Sequence, residues 1–259
     1  VNSTWINPNS AYEAAVEEFV RDILDEGVTN PFLMDFAELQ RKVAHYGMYN
    51  SLAQTLLKIT SPGVPDIYQG NEIWDFSMVD PDNRRPVDFG KRARLLKDLR
   101  RRLAEVGGDR AGLARRLVET KEDGRIKLYV THGGLSYRRE HEELFRLGAY
   151  IPLRAGGRKG RHVCAFARRH LGRMAVVVVP RLLAGLTGGA CVEPLGPGVW
   201  ADSWVTVPKP AAGEGYRNVF TGEVLTGNAA AGGRSTLALE AVFASFPVAL
   251  LEAAVEDAA

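Results

Sequence analysis

Cysteine, long apolar runs and a strong charge imbalance are all missing from this sequence. Its 259 residues include two cysteines, Cys164 and Cys191, too few for a disulfide framework or a cysteine-based metal cluster. No apolar run approaches the roughly 18 residues that a membrane helix requires, and no signal peptide opens the chain. The 33 basic and 31 acidic residues give a net charge of +2, which excludes a strongly basic nucleic-acid-binding protein. We therefore expect a globular cytoplasmic protein with no membrane or nucleic-acid partner.

An initiator methionine is also missing. The chain begins at Val1, and Met34 is its first methionine. The composition, 46% hydrophobic and 25% charged, is typical of a folded domain. A folded sequence that starts in this way is predicted to be a fragment of a longer protein.

The first 148 residues contain mainly helical patterns. Ser10 and Glu13 fit a capping box, and apolar residues follow at helical spacing as far as Leu24. A second helical region begins at Pro31, and Gly47 within it allows either two helices or one bent helix. Residues 123–145 are ambiguous, because residues 126–130 alternate like a strand whereas the flanking charge and residues 136–145 favour a helix; Gly133 and Gly134 are expected to separate the two.

A third helical region, from Lys91 to Val106, is rich in arginine. Between positions 84 and 116 there are 12 basic and 4 acidic residues. This ratio favours a solvated basic helix face. A nucleic-acid patch is the alternative, but no aromatic residues are interleaved to support it.

One short apolar run with β-forming residues, Val64–Gln69, follows the second helical region. Pro65 lacks a backbone donor, so it fits near the start of a strand. A helix, a turn and a buried strand form the second half of a βαβ unit. Gly70–Phe89 is then predicted to be a long loop, and a loop of this length in a compact domain is usually functional or disordered.

From Ala149 onward the pattern changes to short β-rich runs separated by glycine and proline. This spacing predicts a small antiparallel sandwich and a domain boundary near residue 148. The predicted strands are Ala149–Leu153, His162–Ala167, Met174–Val179, Trp204–Val207, Tyr216–Phe220, Ser235–Leu239 and Phe246–Leu251.

Polar and aromatic residues are concentrated at the end of the predicted strand. Tyr68, Gln69, Glu72 and Trp74 leave it together, and such a set suits a sugar, whose hydroxyls need donors and acceptors and whose apolar face stacks on rings. Two alternatives remain open from the pattern alone. Acidic residues of this region could form a catalytic pair, or they could simply orient the loop through turns and hydrogen bonds. The six acidic residues are Asp66, Glu72, Asp75, Asp80, Asp82 and Asp88.

The same segments resemble a known family. Gly63–Glu72 is similar to the eighth barrel strand and following loop of the alpha-amylase family. Asp80–Asp88 is similar to the loop of its trehalose-forming branch, the maltooligosyltrehalose synthase family, and Ser3–Asn9 and Leu144–Leu153 also fit. The resemblance covers nearly the whole chain and identifies it as a C-terminal portion.

This resemblance implies the C-terminal end of a (β/α)₈ TIM barrel, with its last strand and flanking helices, in residues 1–148. An all-β C-terminal domain, the antiparallel β-sandwich, follows in residues 149–259. A whole barrel needs roughly 250 residues, and one convincing strand precedes residue 149, so the missing N-terminal part of the same enzyme is the expected partner.

The implied reaction is an isomerisation by intramolecular transglucosylation. The reducing-end α-1,4 linkage of a maltooligosaccharide becomes an α,α-1,1 linkage, which gives maltooligosyl trehalose. The family's nucleophile, acid/base and third carboxylate come from earlier strands, and their motifs do not occur here. We therefore expect no catalytic residue, cofactor or metal in this chain, and a fragment that is inactive alone.

The resemblance leaves a substrate-binding set in the loop, with maltooligosaccharide as the ligand. For Arg84 and Arg85, ion pairs with Asp80, Asp82 or Asp88 that only fix the loop are an equal alternative. Two other functions stay open: a non-catalytic carbohydrate-binding or interaction module, supported by Trp200 and Trp204 if they are exposed, and another alpha-amylase-family glucanotransferase or hydrolase. The predicted substrate-binding residues are Tyr68, Gln69, Glu72, Asp80, Asn83, Arg84 and Arg85.

Overall fold

The computed structural model describes residues 2–27, 29–78, 80, 82–211 and 215–254. These residues divide into two units, Val1–Tyr46 and Gly47–Ala259. No helix in the described ranges combines the length and the apolar character needed to span a membrane. The helices are α1 (Ser10–Ile23), α2 (Pro31–Thr60), α3 (Phe89–Val106), α4 (Ala111–Glu119), α5 (Arg125–Glu140), α6 (Glu142–Arg146), α7 (Leu183–Leu186), α8 (Gly196–Trp200) and α9 (Leu239–Val242).

The first helix begins one residue earlier than its capping box predicts. The Oδ1 atom of Asn9 accepts from the backbone N–H of Tyr12 at 3.1 Å, so Asn9 is the N-cap and Ser10 is the first helical residue. Glu13 does not close a box on Ser10 but accepts from the Ser3 hydroxyl. Asparagine and serine are equally good N-caps, which is why the pattern alone misplaced the cap.

Glycine does not interrupt either of the two helices where a break was considered. The second helix continues through Gly47 as a single element of 30 residues. The predicted strand at residues 126–130 is wrong, because α5 runs from Arg125 to Glu140 through Gly133 and Gly134. A Cβ on Gly133 would lie 3.0 Å from the Phe220 ring, and one on Gly134 would lie 3.2 Å from Ile59. These glycines therefore permit close packing and do not end the helix.

The second half of the chain contains two antiparallel sheets. The six-stranded sheet has the order β1-β3-β4-β10-β6-β7, and the four-stranded sheet has the order β2-β5-β9-β8. The strands are β1 (Ala149–Pro152), β2 (Ala155–Gly156), β3 (Val163–His170), β4 (Arg173–Pro180), β5 (Trp204–Pro208), β6 (Tyr216–Asn218), β7 (Val224–Leu225), β8 (Asn228–Ala230), β9 (Arg234–Ala238) and β10 (Ala249–Ala254). Each of the seven predicted β-rich runs overlaps a strand, and β2, β7 and β8 were not predicted.

The centre of the six-stranded sheet is its most buried part. In β4, seven of eight residues are buried, as expected for a continuous apolar run covered on both faces. Cys164 in β3 is only partly buried. Trp200 is fully buried, and its indole N–H donates to the carbonyl of Pro194 at 2.8 Å, so it offers no exposed ring for a sugar.

The predicted strand at Val64–Gln69 is not formed by the described residues. Residues 64–68 belong to no helix or strand, and no closed barrel is present in the described part of the chain. A strand is defined by ladder bonds to a neighbour, and no described segment pairs with these residues. The architecture is thus helices combined with two antiparallel sheets.

Candidate functional site

The segment that leads to the predicted site begins at the C-terminal end of α2, where two arginines bind free backbone carbonyls. Arg138 donates to the carbonyls of Ile59 at 2.6 Å and Gly63 at 2.5 Å. Arg168, which is 2% exposed, donates to Thr60 at 3.3 Å. The last carbonyls of a helix lack internal partners and attract cations, so these two side chains fix where the segment starts.

Arg92 of α3 holds the beginning and the end of the following loop together. Its Nη2 donates to the carbonyl of Gly70 at 2.5 Å, its Nε donates to Glu72 at 3.0 Å, and its Nη1 donates to the carbonyl of Asp88 at 3.2 Å. Gly70 has a φ of +94°, and a Cβ there would lie 3.3 Å from Val87. Glycine at this turn therefore allows the loop to reach Arg92.

The middle of the loop is attached to the start of α5. Ile73 is 6% exposed and packs on Gly124, where a Cβ would lie 2.9 Å from its own Cβ. The indole N–H of Trp74 donates to the carbonyl of Lys121 at 2.7 Å. The Lys127 ammonium lies 3.5 Å from Asn71 Oδ1 and 5.9 Å from the centre of the Trp74 ring. Apolar burial and hydrogen bonds thus fix residues 71–74.

The acidic residues of the loop mostly bind neighbours within it. Asp75 accepts from the hydroxyl of Ser77 at 2.7 Å and from its backbone N–H at 3.0 Å. Asp88 accepts from the backbone N–H of Lys91 at 2.7 Å as the N-cap of α3. Asp82 accepts from the backbone N–H of Met78 at 3.1 Å. These contacts are those expected of carboxylates that orient turns and caps.

Both predicted arginines form ion pairs inside the loop. Arg84 donates from Nε to Asp80 at 2.8 Å, and both side chains are more than half exposed. Arg85 pairs with Asp82, whose side chain is 23% exposed. The loop-fixing alternative is therefore observed for both arginines, although it does not prevent either from also contacting a ligand.

A polar pocket of about 250 Å³ opens between the loop and the start of α3. Three predicted residues line it, namely Gln69, Asn83 and Arg85. The Oδ1 atom of Asn83 is buried and has no hydrogen-bond partner among the described residues. The full lining consists of Gln69, Gly70, Asp75, Phe76, Ser77, Asp82, Asn83, Arg85, Pro86, Val87, Asp88 and Arg92.

The other predicted residues lie outside the pocket wall. Tyr68 is 45% exposed, Asp80 and Arg84 pair with each other at the surface, and Glu72 is held by Arg92. Pro81, within the motif that carries the resemblance, lies outside the described residues.

Two important residues of this region were missed by sequence reasoning. Arg92 and Lys127 belong to helices beyond the loop, and in the sequence each is one basic residue among many. The only available signal for Arg92 is its position four residues after Asp88, which places it on the first turn of α3 facing the N-cap. For Lys127 the sequence carries no signal.

The electrostatics of the site reflect its hydrogen bonds and burial. The hydroxyl and backbone N–H of Ser77 hold the pKa of Asp75 below its ordinary value, and Lys127 adds to this effect. Burial lowers the pKa of Lys127, opposed by the charges of Asp75 and Glu72. Asp75 is thus ionised at neutral pH and acts as an acceptor for hydroxyl groups.

The pocket combines the groups that bind a polyol. Amides and carboxylates supply acceptors and donors, Arg85 supplies further donors, and Phe76, Pro86 and Val87 supply apolar surface. No cluster of three or more His, Cys, Asp or Glu side chains suitable for a metal occurs in the described ranges. The arrangement can bind a hydroxylated ligand by hydrogen bonds and apolar contact.

Known proteins similar to this chain occur among curated proteins and among solved structures. No family model matches the chain. A curated protein of Mycobacterium tuberculosis (strain CDC 1551 / Oshkosh), named "Putative maltooligosyl trehalose synthase", is 38% identical over 208 residues, which is 78% of this chain and 23% of that protein.

Solved structures agree with this match. The maltooligosyltrehalose synthase of Arthrobacter ramosus superposes with a TM-score of 0.72 and 32% identity over 96% of this chain and 28% of that protein. Another maltooligosyl trehalose synthase superposes with a TM-score of 0.64 and 28% identity over 97% of this chain. The chain spans about a quarter of the length of these relatives. Over most of its own length it is similar to maltooligosyl trehalose synthases, which confirms the resemblance predicted from its sequence.

Proposed function

We propose that this chain is the C-terminal part of an intramolecular transglucosidase that converts maltooligosaccharides to maltooligosyl trehalose. The observation that carries the proposal is the 38% identity over 208 residues to a protein named "Putative maltooligosyl trehalose synthase". The polar pocket beside the loop adds chemical support, because its amides, carboxylates and apolar side chains suit a sugar.

The proposed reaction has two steps with retention of configuration. A carboxylate of the enzyme attacks the anomeric carbon, the α-1,4 bond breaks, and an acid gives its proton to the leaving oxygen. The anomeric hydroxyl of the released glucose then attacks the same carbon and displaces the enzyme carboxylate, so the bond to the enzyme breaks as the α,α-1,1 bond forms. The hydroxyl gives its proton to the residue that served as the acid in the first step. We assign the attacking and proton-transferring carboxylates to parts of the enzyme outside this chain.

This chain's residues would hold the released glucose between the two steps. We propose that Gln69, Asn83 and Arg85 contact its hydroxyls, and that the unpartnered Oδ1 of Asn83 accepts from one of them. Tyr68 would offer an exposed ring to the apolar face of a sugar. Glu72, Asp80 and Arg84 would contribute by fixing the loop through their ion pairs.

Retention of the glucose is what distinguishes transfer from hydrolysis. If the glucose leaves, water attacks the intermediate and the enzyme acts as an amylase. The loop is held in place by contacts with Arg92, Gly124 and Lys121. A loop fixed in this way can position the released glucose without a large loss of entropy on binding.

We further propose the finer fold expected from the resemblance. Val64–Gln69 would form the last strand of a (β/α)₈ barrel, with a boundary near residue 148 and a β-sandwich after it. Val64 is 96% exposed, which supports a missing neighbour, because an apolar barrel residue is normally covered. Every β-strand within the described ranges follows residue 148, which supports the boundary.

The missing N-terminal part of the same enzyme is the partner that we propose. The apolar stripe of α1 is exposed, and an amphipathic helix normally buries such a face. The stripe consists of Tyr12, Val16, Phe19, Val20 and Leu24.

We also propose a cytoplasmic location, supported by the two free cysteines.

The test uses the longer enzyme that contains this chain, incubated with maltohexaose. We expect reducing ends to disappear while little glucose is released. Accumulation of short maltodextrins with new reducing ends would instead identify a hydrolase. Formation of longer α-1,4 chains would identify a glucanotransferase.

A further inference from the structure

A second concave site lies on the side of α5 away from the loop pocket. It is a groove of about 300 Å³ between α3, α5 and the residues that follow β6. We call it the basic groove, and its inference does not depend on the proposed function. It is lined by Leu103, Arg110, Tyr129, His132, Gly133, Ser136, Tyr137, Glu140, His141, Arg217, Val219, Phe220 and Glu252.

The floor of the basic groove is built by close packing. Tyr129 and Phe220 meet edge to face with ring centres 5.7 Å apart, and the Tyr129 hydroxyl donates to the carbonyl of Phe220. Gly133 has no side chain and so leaves the groove open. A Cβ at this position would lie 3.0 Å from the Phe220 ring. The concavity is therefore a fixed feature of the packed core.

The lining of the groove carries two arginines and two glutamates, and two further arginines lie next to its His132 end. Arg110 donates to the carbonyls of Gly107 at 3.2 Å and Val219 at 3.1 Å and also interacts with the Tyr129 hydroxyl, and no described carboxylate forms an ion pair with it. Arg217 pairs with Glu252. Arg100 and Arg139 do not line the groove, but they lie close enough to the lining residue His132 to act on its charge, and together with Arg110 they surround this residue with positive charge.

Two of these arginines have free donors at the surface. Arg100 donates from Nε to His132 Nε2 at 3.3 Å, which leaves its terminal nitrogens available. Arg139 is exposed and makes no ion pair with any described residue. In agreement with the charge excess, the pKa of His132 lies below its ordinary value, first because of burial and then because of Arg100, Arg139 and Arg110.

We propose that the basic groove binds a small phosphate-bearing anion. The bond from Arg100 makes His132 Nε2 an acceptor, so the ring proton sits on Nδ1 and is a further donor. Ser136, one turn further along the same face of α5, supplies a hydroxyl. Several N–H and O–H donors around an uncompensated positive charge match the oxygens of a phosphate group. A concave site of this size fits a small molecule and not a nucleic-acid backbone, which needs an extended surface.

The first test follows the imidazole signals of the 259-residue chain by NMR, with orthophosphate titrated at constant ionic strength against chloride. The His132 signal is identified by its loss in His132→Gln. Bound phosphate should raise the pKa of His132 and should shift its signals in a saturable way at millimolar concentration. Shifts that are absent, or that chloride reproduces, would overturn the proposal.

The second test compares two matched double variants. Arg100→Gln/Arg139→Gln removes two charges next to the groove, and Arg94→Gln/Arg161→Gln removes two exposed charges elsewhere. We expect the first to weaken phosphate binding about tenfold and the second to leave it within about twofold. Equal weakening in both would mean nonspecific attraction and would refute a site. Should the first variant fail to fold by circular dichroism, Arg139→Gln alone carries the same comparison.

Free phosphate and the phosphate group of a phosphorylated sugar are the two sources of such an anion. A parallel titration with glucose 6-phosphate distinguishes between them. Tighter binding than orthophosphate would support a phosphorylated sugar as the ligand. Equal binding would support free phosphate.

Discussion

Arg92 and Glu72 are joined across 20 residues by a hydrogen bond of 3.0 Å between Nε and a carboxylate oxygen. The Arg92 side chain is 17% exposed and that of Glu72 is 30% exposed, so the pair is better shielded from solvent than the ion pairs of Arg84 and Arg85. Because the same guanidinium also binds the carbonyls of Gly70 and Asp88, one side chain closes the loop.

Replacing Arg92 with methionine should loosen the loop. Arg92→Met keeps the apolar stem but leaves Glu72 unpaired, and we expect a loss of about 2 kcal/mol in the free energy of unfolding. Urea denaturation measures this loss, and amide hydrogen exchange should speed up across residues 70–78. Arg94→Met, an exposed change on the same helix, should stay within about 0.5 kcal/mol. Equal effects of the two substitutions would contradict the closing role of Arg92.

Replacing a glycine with alanine should change stability in opposite directions at Gly124, which contacts Ile73, and at Gly47. Gly124 has a φ of +84°, and its Cβ would lie 2.9 Å from that of Ile73, so Gly124→Ala should cost about 2 kcal/mol. Gly47 lies inside α2 with no atom within 4 Å of an added Cβ, so Gly47→Ala should stabilise by about 0.5–1 kcal/mol. Thermal unfolding of both variants decides this. A neutral Gly124→Ala would show that the loop is free to move away from α5.

The helices illustrate which parts of the fold are predictable from sequence. Periodicity predicted α1 and α3 well, since their apolar spacing is local information. It did not predict that α5 continues through Gly133 and Gly134, because the reason lies in Phe220 and Ile59, which are distant in sequence. Tertiary packing overrides the tendency of glycine to interrupt a helix.

The seven strand predictions of the β-rich half were confirmed, whereas the strand predicted at Val64–Gln69 is not formed by the described residues, and the reason is again that contacts distant in sequence decide the outcome. Alternation and turn residues identified the seven main β-rich runs, whose partners are all within the described chain. Val64–Gln69 has the same composition, but a strand also needs a neighbour, and Val64 is instead 96% exposed.

The candidate site was predicted in part. Its loop was found from side-chain chemistry, and Gln69, Asn83 and Arg85 do share a pocket. The residues that hold the loop, Arg92 and Lys127, were missed because each acts through a contact made only in three dimensions.

The different surroundings of Arg84 and Arg85 lead to a prediction for the longer enzyme. Arg85 lines the pocket, whereas Arg84 forms an exposed pair with Asp80. If the pocket holds a sugar, Arg85→Gln should raise KM for maltohexaose about fivefold. Arg84→Gln should change KM less than about twofold, since exposed ion pairs contribute little.

Steady-state kinetics with both variants provides the comparison, and the released glucose should be measured as well. A looser hold on the reducing-end glucose would increase the share of hydrolysis in Arg85→Gln. The opposite order of effects would place the sugar on the Asp80–Arg84 side of the loop.

The surroundings of His132 predict a specific dependence of stability on pH. Burial, with Arg100 next in size, lowers the pKa of His132 from its ordinary value of 6.5, so the unfolded chain takes up a proton more readily than the folded chain. Stability contributed in this way is present above pH 6.5 and is lost as the pH falls from there toward the lower folded-state pKa. The free energy of unfolding, measured in urea, should therefore fall more steeply on acidification for the wild type than for His132→Gln. Arg100→Gln should lie between the two, because it removes the second cause and leaves burial in place. Parallel curves for wild type and His132→Gln would mean that His132 is as easily protonated in the folded chain as in the unfolded one.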